Sequence, residues 1–168
     1  MKDEAGFTRL FMGEYPSLVR ELTLIVGDRN VAEEVAADAF EEALKQWRVV
    51  SSYERPGAWV RKVALRIAGR AGWRARRRRG VERSAARAVA TELGPDVDLH
   101  VALALLPMSQ RTAVVLHHLA GWPAREIGEV LGCSEVTVRT HLHRGRVRLG
   151  ELLGDREAGV EVADADGQ

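Results

Sequence analysis

Apolar residues recur at helical spacing along most of the chain, and no segment shows the strict alternation of a half-buried strand. From Phe7 to Val26 they fall at Phe7, Leu10, Phe11, Leu18, Leu22 and Ile25, interrupted by Pro16, which predicts two short helices or one kinked helix. Gly27-Asp28 then predicts a turn. Between Asn30 and Trp47 a stripe of Val31, Val35, Ala39 or Phe40, Ala43 or Leu44, and Trp47 is bordered by Glu33, Glu34, Asp38, Glu41 and Glu42. That is an amphipathic helix with one face for a core and one for solvent. Ser51 to Gly57 predicts a loop. Ala58 to Arg79 predicts a long helix with Val60, Val63, Ala64, Ile67 and Ala68 inward, weakened in its middle by Gly69 and Gly72.

The pattern changes at Gly80. Up to Asp98 the apolar residues are mostly Ala and Val, Leu93 is the only large one, and Gly94-Pro95 breaks any helix, so 80–98 reads as a linker. A second compact unit begins at Leu99, with helices expected at 99–105, 109–119, 123–131 and 134–150, separated by Pro107, Gly121 and Gly132-Cys133-Ser134. The expected fold is all-α: two small helical domains, 1–79 and 99–153, joined by the linker and followed by an acidic, disordered tail, 154–168.

Composition narrows the function. The chain has 168 residues, of which 46% are hydrophobic, enough for a folded core. No stretch approaches the roughly 18 to 20 apolar residues of a membrane span, and Met1 to Phe7 lack the order of a signal peptide, so a cytoplasmic protein without membrane contact is expected. The single Cys133 can form no internal disulfide and has no ligand cluster beside it, so neither a metal nor another cofactor is expected. Glu33, Glu34 and Asp38 lie on an amphipathic helix without a companion His or Gly-rich loop, which argues against an enzyme acting on nucleic acid and leaves no catalytic residue to name.

The formal net charge of +1 conceals strong segregation. Acidic residues outnumber basic ones over 1–60, whereas 61–83 hold Arg61, Lys62, Arg66, Arg70, Arg74, Arg76 to Arg79 and Arg83 against Glu82 alone. A second basic group, Arg139, Arg144, Arg146 and Arg148 with His141 and His143, precedes the acidic tail. Two separated basic patches suit two contacts with one long polyanion.

The most specific stretch runs from Pro123 to Arg146 and reads as a helix-turn-helix. Ile127, Val130 and Leu131 supply the buried face of its first helix, Gly132 permits a left-handed turn, and the Ser134 hydroxyl can cap the second helix. With Val138 and Leu142 inward, Glu135, Thr137, Arg139, Thr140, His141 and Arg144 fall outside, as insertion into a major groove requires. The plainer alternative is a helical bundle whose basic last helix is merely solvated.

Leu105-Leu106-Pro107-Met108-Ser109-Gln110-Arg111, then Ala120-Gly121-Trp122 and the helix-turn-helix, resemble region 4 of extracytoplasmic-function sigma factors of the sigma-70 family. Gly27-Asp28 through Ala39-Phe40 to Trp47, and Trp59-Val60-Arg61-Lys62-Val63-Ala64 with the following Arg run, resemble region 2, so the match covers about residues 7–150. The resemblance implies a transcription initiation factor whose partners are core RNA polymerase and double-stranded and melted promoter DNA, and it leaves room for an anti-sigma factor. It places Glu34, Ala37, Asp38 and Glu41 on the polymerase-binding face; Ala37 stands where the family often has glutamine. It assigns the minus-10 element to Trp59, Arg61, Lys62, Arg66, Arg70 and Arg74, with Trp59 either stacking on an unpaired base or serving the core. The family often has Asn and Asp where this chain offers Arg66, Gly69, Arg70 and Arg74. For the minus-35 element it implies base contacts from Glu135, Thr137, Thr140 and His141, and phosphate contacts from Arg139, Arg144, Arg146 and Arg148. The rival readings are a stand-alone helix-turn-helix regulator and an anti-sigma-like interaction protein.

Overall fold

The structure is a computed structural model and describes residues 4–78 and 95–161. All of its described elements are α-helices. They divide into two compact units, with the boundary between Gly80 and Val81.

The first unit contains α1 (Glu4–Val26), α2 (Arg29–Lys45), α3 (Trp47–Val50) and α4 (Pro56–Arg78). Helix α1 is continuous through Pro16 rather than split in two. Proline removes the bond to the carbonyl four residues back, that of Met12, and its ring crowds that carbonyl; both residues are exposed, where the carbonyl can tilt outward to water. At the Gly27 turn, φ is 79°, and Asp28 caps α2 by accepting from the backbone N–H of Asn30 and Val31. Pro56 and Gly57, expected in a loop, instead open α4. A proline at the first helical position gives up an N–H that has no partner there in any case. Leu18, Leu22, Ile25, Val35, Ala39, Phe40, Val60, Val63 and Ala64 interlock where α1, α2 and α4 meet. An aromatic cluster closes one end: Phe7 lies edge-on to Trp47 at 5.3 Å, and Phe11 to Phe40 at 5.0 Å.

The second unit contains α5 (Pro95–Ala104), α6 (Met108–His118), α7 (Ala124–Leu131) and α8 (Glu135–Glu161). Helix α8 packs on the other three around Leu103, Leu106, Val115, Leu116, Trp122, Ile127, Val138 and Leu142. Two expectations are corrected. Helix α5 starts at Pro95, inside the segment read as linker, again with proline at the first helical position. Helix α8 does not stop near Gly150 but runs through Gly154 to Glu161, so the tail begins as helix. A glycine within a helix costs about 1 kcal/mol relative to alanine but does not forbid the helical backbone, so Gly154 does not by itself end α8. The rest of the linker, 79–94, and of the tail, 162–168, lie outside the described residues.

Candidate nucleic-acid interface and docking face

The helix-turn-helix is built by three glycines and a serine. Gly132 adopts φ 68° and ψ 34°, the left-handed conformation that ends α7. The chain doubles back so closely that the Cys133 N–H bonds the Gly128 carbonyl at 3.0 Å, and a Cβ on Gly128 would lie 2.6 Å from the Cys133 carbonyl oxygen. Ser134 Oγ accepts from the Thr137 N–H at 3.1 Å and fixes the start of α8. Gly145 brings α8 against α6, since a Cβ there would meet Val114 Cγ2 at 2.8 Å. Ile127 is fully buried, while Val130 and Leu131, expected beside it, are half-buried.

Val138, Leu142 and Gly145 mark the buried side of α8. At 3.6 residues per turn the side opposite carries Val136, Thr140, His143 and Val147, all exposed. Arg139, Arg144, Arg146 and Arg148 are exposed on its flanks. Glu135 and Arg139 pair at 2.6 Å, and Arg148 pairs with Glu151 at 3.0 Å. Arg144 and Arg146 have no carboxylate partner among the described residues. Thr137 is half-buried, with its hydroxyl 2.9 Å from that of Ser134, so the cap occupies it. His141 is half-buried too, and its Nδ1 faces inward without a hydrogen-bond partner, which leaves only the other ring edge for a ligand. Val136 was missed because an apolar residue is assigned inward by type. Projecting the positions opposite Val138 and Leu142 would have found it.

Other residues of the resembling motif are structural. Arg111 Nη2 donates to the carbonyls of Ala104 (2.7 Å) and Leu106 (3.1 Å) at the end of α5. Trp122 is buried, and its carbonyl meets His117 Nδ1 at 2.9 Å. His118 is held below the usual histidine range by burial, then by His117 and Arg146.

In the first unit Glu34, Ala37, Asp38 and Glu41 are exposed along one face of α2. Glu41 and Lys45 pair at 2.7 Å; their hydrogen bond lowers the Glu41 pKa and raises that of Lys45. A shallow groove sets Asp38, Glu41, Glu42 and Lys45 against Val63, Arg66 and Ile67 of α4, so the acidic docking candidates and Arg66 of the minus-10 set share one surface. Trp59 and Lys62 are half-buried and Arg66 is exposed. The side chains of Arg70 and Arg74 lie outside those described.

Arg61 departs from the expectation of a phosphate contact. Its side chain is 14% exposed, pairs with Glu14, and donates to Glu21 Oε2 at 3.1 Å and Ser17 Oγ at 3.0 Å, tying α4 to α1. Burial opposes its charge, but the hydrogen bonds it donates to Glu21 and Glu14 more than offset that and raise its pKa. Gly57 makes room, since a Cβ there would lie 2.8 Å from the Glu14 carboxylate.

A basic helix-turn-helix in one unit and a helical unit with an acidic exposed face in the same chain define a two-unit nucleic-acid-binding protein. The family profile described as Sigma-70, region 4, matches residues 96–149. RNA polymerase sigma factor CarQ of Myxococcus xanthus is 30% identical over 94% of both chains. RNA polymerase sigma-E factor of Streptomyces coelicolor is 29% identical, covering 89% of this chain and 87% of its own. The ECF RNA polymerase sigma factor SigM of Mycobacterium tuberculosis is 39% identical over 36% of this chain and 31% of its own. The sigma factor RpoE of Bartonella quintana, crystallised with the anti-sigma factor NepR, shares the fold with a TM-score of 0.65 at 24% identity, over 92% of this chain and 98% of its own. The chain belongs to the sigma-70 family of RNA polymerase sigma factors, in the extracytoplasmic-function group. No helix among the described residues is long and apolar enough to cross a membrane.

Proposed function

We propose that this protein binds core RNA polymerase in the cytoplasm and directs it to promoter DNA, with the first unit docking on the polymerase and engaging the minus-10 element while the second engages minus-35. The observation that carries this reading is the pairing, in one chain, of an exposed acidic face on α2 with an exposed basic second helix of a helix-turn-helix. Glu34, Asp38 and Glu41 offer charge to a basic partner surface, with Ala37 between them. Trp59, Lys62 and Arg66, with Arg70 and Arg74 further along α4, are the groups for melted DNA, where an aromatic stacks and cations hold phosphates. Arg139, Arg144, Arg146 and Arg148 hold duplex phosphates around the base-reading side of α8, to which Glu135, Thr140 and His141 contribute, while Thr137 serves mainly the cap. Neither contact has to be tight alone, because the polymerase holds both units and makes the second encounter intramolecular. Strand opening then draws on binding energy and needs no catalytic side chain. An anti-sigma partner rests on the family resemblance alone.

The test is co-elution of the purified protein with bacterial core RNA polymerase on size exclusion, beside a folded Glu34→Arg, Asp38→Arg variant. Wild type should co-elute and the variant should not. Failure of the wild type to bind polymerase, with DNA binding intact, would reassign the protein as a stand-alone regulator.

A further inference from the structure

We propose that Val136 is a specificity-determining residue, reading the C5 methyl group of one thymine in the major groove. This rests on the promoter-binding reading above and deepens it to the chemistry of a single base pair. A lone exposed valine on an arbitrary surface means little, because much of any protein surface is apolar. Val136 is distinguished by position. It is 74% exposed, in the first turn of α8, directly opposite the side buried by Val138, Leu142 and Gly145. In a helix-turn-helix that first turn of the second helix reaches the base edges. Further along the same helix the exposed Arg144, Arg146 and Arg148 flank this line, so the surface that continues from Val136 suits a polyanionic duplex and not an apolar protein groove.

The polar groups nearest Val136 are already engaged within the helix. Arg139 holds the Glu135 carboxylate at 2.6 Å. The Thr137 hydroxyl belongs to the Ser134 cap at 2.9 Å, and Thr140 Oγ1 donates back to the Val136 carbonyl at 3.1 Å. The surface that Val136 itself presents to the groove is apolar. Valine has neither donor nor acceptor, and the one apolar feature that a base pair displays in the major groove is the thymine methyl. Against guanine, adenine or cytosine edges the same side chain would strip water from polar groups and replace none of their hydrogen bonds.

The experiment uses the full-length protein with core RNA polymerase, selecting from a duplex library randomised across the minus-35 segment. One pool is made with thymine and a second with uracil, which pairs identically but lacks the methyl. One thymine position should be enriched by wild type and fall about fourfold in the uracil pool, the factor expected for one buried methyl-sized group. Val136→Ser should lose that preference while keeping the other selected positions, and Val136→Thr, which retains a methyl, should keep part of it. Circular dichroism should match wild type for both variants, because the side chain is exposed. Identical selection from the two pools, or an undiminished thymine preference in Val136→Ser, would overturn the inference and leave the promoter reading standing. No enrichment of any sequence would overturn the promoter reading, and the inference with it.

Discussion

Replacing Arg61 with alanine separates an internal clamp from a DNA contact. The substitution strands the Glu21 carboxylate, whose side chain is only 8% exposed, in the interface between α1 and α4. Removing one partner of a buried pair costs about 3–5 kcal/mol. The Glu14 arm, whose carboxylate side is 35% exposed, is screened by solvent and adds about 1 kcal/mol at most. At roughly 0.05–0.15 kcal/mol per residue, a unit of about 75 residues has some 4–11 kcal/mol of stability, so the loss is roughly a quarter of it or more. For a unit this size each kcal/mol shifts the melting temperature by about 4–8 °C, and Arg61→Ala should melt at least about 12 °C below wild type. Urea denaturation at neutral pH measures the change, and hydrogen exchange should place it in α1 and α4. Converting both partners, Arg61→Met with Glu21→Met, should recover much of the loss, since the only carboxylate then left without its partner is that of Glu14, which solvent screens. A phosphate contact would behave differently: stability would hold within about 0.5 kcal/mol, while the salt dependence of promoter binding would weaken by about one unit of slope. That result would refute the clamp.

Three further predictions concern the second unit. Gly128→Ala forces a methyl into the Cys133 carbonyl and should cost about 1–3 kcal/mol with a matching loss of duplex binding; an unchanged melting curve would show that the turn can relax. Ser134→Ala removes the cap of α8 and should cost about 1 kcal/mol in urea denaturation, whereas Ser134→Asp, which also caps, should stay near wild type. The His118 pKa is lowered in the folded state, so between that value and the unfolded one near 6.5 the unfolded chain binds more protons, and stability should fall as pH drops through this window. Melting temperatures from pH 7 to 5 should show a shallower decline in His118→Gln, and equal slopes would place the pH sensitivity elsewhere.

Much of the architecture is local in origin and so legible in the residues. The stripe from Val35 to Trp47 and the Gly132, Ser134, Val138 and Leu142 spacing each specify a helix or turn from neighbours a few positions apart. Helix ends were less legible, because Pro16, Pro56, Pro95 and Gly154 carry opposite meanings depending on where they fall in a helix. The candidate site divided similarly. Basic flanks and the acidic face of α2 follow from helical period and charge alone. The inward turn of Arg61 required α1 to lie beside α4, bringing Glu14 and Glu21 to a guanidinium at least 40 positions away in the chain. The sharing of one groove by Asp38, Glu41 and Arg66 likewise depends on α2 meeting α4. Sequence by itself determined which residues could bury, cap or carry charge. Only tertiary packing decided which charges face inward, because that choice depends on partners the chain brings together after its helices have formed.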